Sequence, residues 1–241
     1  IHLEFVNRVI AVLKDDTRIL GIAAGGSWIT DSMDAFSDID LRVVLQSDRH
    51  AYYVDQRQEI PKQWPGFLFN EWVAGAQHCV SHFRPFGKID IFYYDAAALH
   101  PSPWYSLPIK ILHDPEGVVA DLIERSQSMP FTVAEDDLDF SISKGLAAAH
   151  ETYRRAWRGE LFYAASLLDE LRQHIMYADD WLNGRTPETA IVAKFDRRGC
   201  PAVLAALKAS YCPCDASAIL AALRLLAETY RAQLIELHGR F

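Results

Sequence analysis

The chain has 241 residues, half of them apolar and 12% aromatic, with a formal net charge of −8. That length and composition support a substantial core in one large domain or two small ones and exclude a disordered chain. The acidic balance argues against a nucleic-acid partner, which needs concentrated Lys and Arg, and no apolar run approaches the ~18 residues of a membrane span.

In chain order, residues 2 to 14 place Phe5, Val9, Ile10, Val12 and Leu13 among polar residues, which predicts an amphipathic helix. Residues 18–24 are apolar and predict the first strand, which delivers the chain to Gly25-Gly26-Ser27. Residues 28–37 have room for a short helix. From Asp38 the chain alternates: Ile39, Leu41, Val43 and Leu45 interleave with Asp38, Asp40, Arg42 and Val44, which is strand spacing. Residues 48–63 read as a helix stopped by Pro65-Gly66. Residues 67–73 and 78–84 read as antiparallel strands, Pro85-Phe86-Gly87 as a turn, and residues 88–95 as another strand, with Asp95 a turn residue at its end. An edge strand is expected within 104–112 and a helix over 117–126. Trp64, Trp72 and Trp104 fit either a pocket or the core.

Ser128-Met129-Pro130 marks a change of pattern. Leu138, Ile142, Leu146, Ala149, Tyr153 and Trp157 then recur at steps of three and four, a helical apolar stripe that should face the core. Lys144, Ala148, Glu151 and Arg155 share the opposite face, and the Arg154, Arg155 and Arg158 cluster reads as solvated surface. Leu161, Ala164, Leu168, Leu171 and Ile175 form a second stripe. Thr186-Pro187 has the form of a helix start, with a short helix to follow. Cys212-Pro213-Cys214-Asp215 interrupts before a last stripe of Leu220, Leu223, Leu226, Tyr230 and Leu234. The expected fold class is α+β: an N-terminal domain over residues 1–130 with a mixed or antiparallel sheet, then a C-terminal helical bundle over 131–241. Cys79, Cys200, Cys212 and Cys214 have no zinc-site spacing and are expected as free thiols. Together with an opening segment unlike a signal peptide, that gives a cytoplasmic expectation.

The chemistry concentrates between Gly25 and Asp40. Residues i and i+2 of a strand leave from one face, with Cα atoms roughly 6.6 Å apart, so Asp38 and Asp40 stand side by side. Two carboxylates about 4 Å apart repel by roughly 1 kcal/mol in water and about 4 kcal/mol in a partly desolvated site. Either one takes up a proton or a cation sits between them. A hard divalent ion with oxygen ligands, Mg²⁺ above all, suits such a pair and brings phosphates with it. Glycines upstream let backbone N–H groups approach a phosphate closely, and the Ser27 hydroxyl adds a donor.

Gly26-Ser27, ten residues, then Asp38-Ile39-Asp40 on a strand resembles the signature of nucleotidyltransferases of the DNA polymerase β superfamily. An N-terminal transferase domain followed by a helical bundle looks like the small bacterial aminoglycoside and lincosamide nucleotidyltransferases. The motif covers about 20 residues; the architecture covers the whole chain but is less specific. The resemblance implies Asp38 and Asp40 as metal ligands and Asp90, near the start of its strand, as a third ligand or the general base. It implies that Gly25 shapes the turn, that Gly26 and Ser27 hold phosphates, and that Lys144 contacts the triphosphate. It also implies one or two Mg²⁺ ions, ATP as co-substrate, and transfer of AMP to a hydroxyl of a small molecule. Glu170, His174 and Tyr177, with Asp169 and Arg172 beside them, could meet an amine-bearing acceptor or be ordinary surface charge. A homodimer is a further expectation. Two other readings stay open: an antitoxin-type enzyme that adds AMP to a protein, and a non-catalytic nucleotide-binding regulator.

Overall fold

The computed structural model describes residues 2–29, 34, 36–71, 73–106, 108–187 and 190–241. The chain divides into two compact units, Ile1–Pro130 and Phe131–Phe241. No helix among the described residues is long and apolar enough to cross a membrane.

The first unit is built on a six-stranded sheet. Its strands are β1 (Ile19–Ala24), β2 (Ile39–Leu45), β3 (Phe67–Asn70), β4 (His78–Phe83), β5 (Gly87–Asp95) and β6 (Lys110–His113), in the order β3-β4-β5-β2-β1-β6. β2 and β5 pair in parallel; the other neighbours are antiparallel. The alternation in β2 sends Ile39, Leu41, Val43 and Leu45 to one face, each no more than 1% exposed, where they meet Ile89, Ile91 and Tyr93 of β5. The first helix, α1 (His2–Lys14), covers this face with Val6, Val9, Ile10 and Leu13. Trp64 also belongs to this core, stacked on Phe83, while Trp72 and the side chain of Trp104 lie outside the described residues.

On the opposite face Ala23 and Val44 meet Val119 of α3 (Val118–Gln127). The helix expected over 48–63 is shorter, α2 (Ser47–Gln56), followed by a 3-10 turn at Ile60–Gln63. Pro61 sits inside that turn, removing the backbone donor a continued α-helix would use. Asp16, after α1, accepts from the Arg18 backbone and side chain, from Arg49 Nε and from the Tyr53 hydroxyl. Burial alone would raise its pKa, but the Arg18 and Arg49 hydrogen bonds outweigh it and hold the carboxyl down at about 2.

The second unit is helical: α4 (Glu135–Trp157), α5 (Leu161–Leu182), the short α6 (Phe195–Arg198), α7 (Pro201–Ala209) and α8 (Ala216–Arg240). Leu168, Leu171, Ile175, Ile219 and Leu226 form its centre, each no more than 1% exposed. Asp215 caps α8 by accepting from Ala218 N.

The expected apolar stripe of α4 is its core face only in part: Leu138 and Ala149 pack against the core. Leu146, Tyr153 and Trp157 are 53%, 53% and 67% exposed, whereas Ser141, Gly145, Ala148, Thr152 and Ala156 are buried. Close approach is the physical reason: a Cβ on Gly145 would lie 2.6 Å from the Tyr230 ring and hydroxyl of α8, and that hydroxyl donates to Ser141 O. Thr186-Pro187 does not open a helix either; residues 191–194 form turns, and α6 and α7 come later.

Arg172 and His174 are buried rather than surface groups. Arg172 donates to the Ser210 hydroxyl and carbonyl and to Asp169, and His174 Nδ1 lies 2.9 Å from the Ser141 hydroxyl. The arginines late in α4 are paired, Arg154 and Arg155 with Glu151, Arg155 and Arg158 with Glu160.

At the end of α5, Asp179 and Asp180 are 3% and 0% exposed. Asp180 accepts from Arg185 Nε at 2.8 Å and Arg198 Nη2 at 3.0 Å. Asp179 accepts from Arg185 Nη2 at 2.7 Å and from the Cys200 backbone. This ties the loop after α5 to the bundle.

Candidate active site

Strand pairing decides which polar residues meet. In the parallel β2·β5 register Asp40 stands opposite Asp90, and period-2 alternation puts Asp38 on the same side as Asp40. One carboxylate oxygen from each of the three lies within 4.8 Å of the other two. Their side chains differ in access, with Asp38 42% exposed and Asp90 13%.

The glycine turn is fitted to this group. The Gly25 N–H donates to Asp40 O at 3.0 Å, which fixes the turn to β2. Gly26 has φ +73°, a conformation glycine adopts without strain, and a Cβ there would lie 2.7 Å from Asp40 Oδ2. No other residue lets the turn lie this close to the Asp40 carboxylate. Residues Gly26–Trp28 form one 3-10 turn; the Ser27 side chain lies outside the described residues. Much of the short helix expected over 28–37 also falls on residues that are not described, 30–33 and 35.

Two basic side chains escaped the sequence reading. Lys88 of β5 donates to Asp90 Oδ2 at 2.9 Å and to Asp38 Oδ2 at 3.2 Å. Arg42 of β2 lies under the turn, where a Cβ on Gly25 would be 3.0 Å from its Nη1. The signal was present: Arg42 follows Asp40, and Lys88 precedes Asp90, by two residues of one strand, so each pair shares a face.

The cluster is short of positive charge even so. Burial, then the charges of Asp38 and Asp90, push the Asp40 carboxyl up to about 6. Burial raises Asp90 as well, against the opposing hydrogen bond and charge of Lys88. Partial burial would lower Lys88, but its bonds to Asp90 and Asp38 win and raise it. Asp90 Oδ1 is buried and accepts no hydrogen bond. An all-oxygen donor set with an unmet buried acceptor fits a hard divalent cation.

Lys144, the remaining residue expected at a site, stands in the second unit, exposed on α4 with its ammonium 6.0 Å from the centre of the Phe140 ring. Asp95 has a structural place: it accepts from Ser47 Oγ and Ala97 N.

No family model matches the chain, and no curated protein does. Among solved structures it is similar to a nucleotidyltransferase-like protein from Exiguobacterium sibiricum 255-15, at 14% identity and TM-score 0.48, over 97% of this chain and 76% of that one. It is also similar to an aminoglycoside 6-adenyltransferase from Bacillus subtilis, at 12% identity and TM-score 0.43, over 98% of this chain and 89% of that one. Superpositions this loose, at identities this low, carry no chemistry across to this chain.

Proposed function

We propose that the chain is a Mg²⁺-dependent nucleotidyltransferase that moves a nucleoside monophosphate, AMP from ATP, onto a hydroxyl of a small molecule. The observation that carries this reading is the meeting of Asp38, Asp40 and Asp90 within 4.8 Å beside a glycine turn that only glycine can form there. Asp38, Asp40 and Asp90 would hold the cation. When bound, Mg²⁺ supplies charge neutralisation of the triphosphate and of the leaving pyrophosphate, and lowers the pKa of an attacking hydroxyl. The chain's own part is positioning: Gly25 shapes the turn, while Gly26 and Ser27 present backbone donors to phosphate oxygens. The half-buried strand face around Asp40 strengthens each of these contacts by excluding water.

The acceptor proposed is a hydroxyl-bearing antibiotic of the aminoglycoside or lincosamide type. The test is pyrophosphate release from ATP with Mg²⁺ over a panel of both classes. Acceptor-dependent release supports the reading. AMP transfer to protein without a small acceptor would move the chain to the protein-modifying class. Thermal stabilisation by nucleotide with no turnover on any acceptor would make it a binder and overturn the proposal.

A further inference from the structure

Lys88 is the group the proposed reaction does not use. Its ammonium bridges Asp38 Oδ2 and Asp90 Oδ2, at 3.2 and 2.9 Å, and so joins two of the three carboxylates that would bind a cation. Its side chain is 32% exposed, so it is neither locked in the core nor free in solvent. It leaves the buried Asp90 Oδ1 without a donor. A strand lysine two residues from Asp90 emerges on the same face as that carboxylate, so the contact is built into the strand and does not depend on a loop.

We propose that Lys88 is a built-in counter-ion: it holds Asp38 and Asp90 together beside Asp40 and competes with the divalent ion for both. This rests on the reading of the three aspartates as the cation site. A divalent ion that took those same oxygens would stand beside a like charge, so the ammonium would leave them. A free ammonium beside a loaded site needs a new anion, and a triphosphate provides one. The free chain therefore binds the bare ion weakly. Ion and nucleotide both favour the released side chain, so each raises the other's affinity, and linkage makes the two factors equal. Lys88 acts through Asp38 and Asp90, which makes it a positioning residue.

The experiment titrates Mn²⁺ alone into the 241-residue chain by calorimetry, comparing wild type, Lys88→Gln and Asp40→Asn, with thermal melts of each. Removing the competitor should tighten Mn²⁺ binding at least about tenfold in Lys88→Gln, within the usual range of site coupling. The same variant should melt lower than wild type without metal and recover with it. A non-hydrolysable ATP analogue should then strengthen Mn²⁺ binding more in wild type than in Lys88→Gln. Lys88→Met, which keeps an unbranched stem without the charge, repeats the measurement should the glutamine variant fail to fold.

Wild-type binding that depends on Asp40, with no gain in either lysine variant, overturns the counter-ion and leaves the cation site standing. Mn²⁺ binding that is absent throughout, or equal in Asp40→Asn and wild type, overturns the cation site and the counter-ion with it.

Discussion

Asp179 and Asp180 at the end of α5, and Asp38, Asp40 and Asp90 on the sheet, are both groups of carboxylates held close together, yet their surroundings differ. The α5 pair is almost wholly buried and well supplied with donors: Arg185 bridges both acids, Arg198 also meets Asp180, and the Cys200 backbone donates to Asp179. The sheet group is more open and has one shared lysine, one buried oxygen with no donor, and a carboxyl pushed up to about 6. A buried charge with complete partners is a structural part, because removing a partner is what costs stability. A charge cluster with incomplete partners costs stability as it stands and gains it when a ligand arrives.

The contrast breaks first on activity. Asp40→Asn should lower pyrophosphate release by about a thousandfold, the upper end of what removing one electrostatic contributor costs, while the melting temperature holds or rises. Activity near wild type would place the site elsewhere.

The α5 acids should behave in the opposite sense. Asp180→Asn leaves Arg198 and Arg185 without their central partner and should cost about 3 kcal/mol of stability, measured by denaturant titration. A loss below about 1 kcal/mol would mean that solvent screens the network more than its burial indicates.

The pH dependence sharpens the comparison further. Asp40, ordinarily at 3.8, rises to about 6 in the folded chain, so between those values the folded state holds a proton that the unfolded state has released. Stability of the metal-free protein should fall as pH rises through that window, with the penalty complete above it. Asp16, held at about 2, has the opposite sign: its contribution is present above pH 3.8 and is lost as pH falls toward 2. Asp40→Asn should flatten the upper limb alone and gain up to about 3 kcal/mol near neutral pH, from about two pK units at 1.36 kcal/mol each. Urea titrations across pH in a chelator measure it, and a variant no more stable than wild type at neutral pH would remove the repulsion argument.

Two smaller effects complete the set. Gly145→Ala gains about 1 kcal/mol of helix propensity but drives a methyl into Tyr230, so a net loss of about 1–2 kcal/mol is expected in thermal melts. Lys144→Ala, at an exposed position, should leave stability unchanged and raise the apparent KM for nucleotide by roughly threefold to tenfold, the loss of one exposed charge contact. An unchanged KM would return Lys144 to ordinary surface.

The sheet was far more legible than the bundle. In β2 Ile39, Leu41, Val43 and Leu45 face one core and Asp40 leaves from the other side, with Asp38 two residues before it, so alternation alone orders Asp38 and Asp40. The approach of Asp90 needed the parallel register, which no local pattern encodes; its assignment came from resemblance. Lys88 and Arg42 were overlooked because a basic residue in a strand reads as solvated, although the period-2 rule that paired the aspartates applies to them equally. In α4 the rule that apolar residues face inward held for Leu138 and Ala149 and failed for Leu146, Tyr153 and Trp157. Helices packed as closely as α4 and α8 bury whatever is small, so Gly145, Ala148 and Thr152 face in while Tyr153 and Trp157 stay out. At Thr186-Pro187 a cap signal was present, but Pro187 is not helical, and the next helix, α6, begins at Phe195.

The parallel β2·β5 pair carries one more consequence. Asp40 and Asp90 are distant in sequence and become neighbours only when that pair closes. Pairing of such high contact order is slow relative to hairpin formation. A nascent chain that has folded its first hairpin carries two of the three acids and no competent centre. Uptake of a paramagnetic ion during refolding would therefore time the closure of the sheet, and the proposed cation site would arise in a single late step.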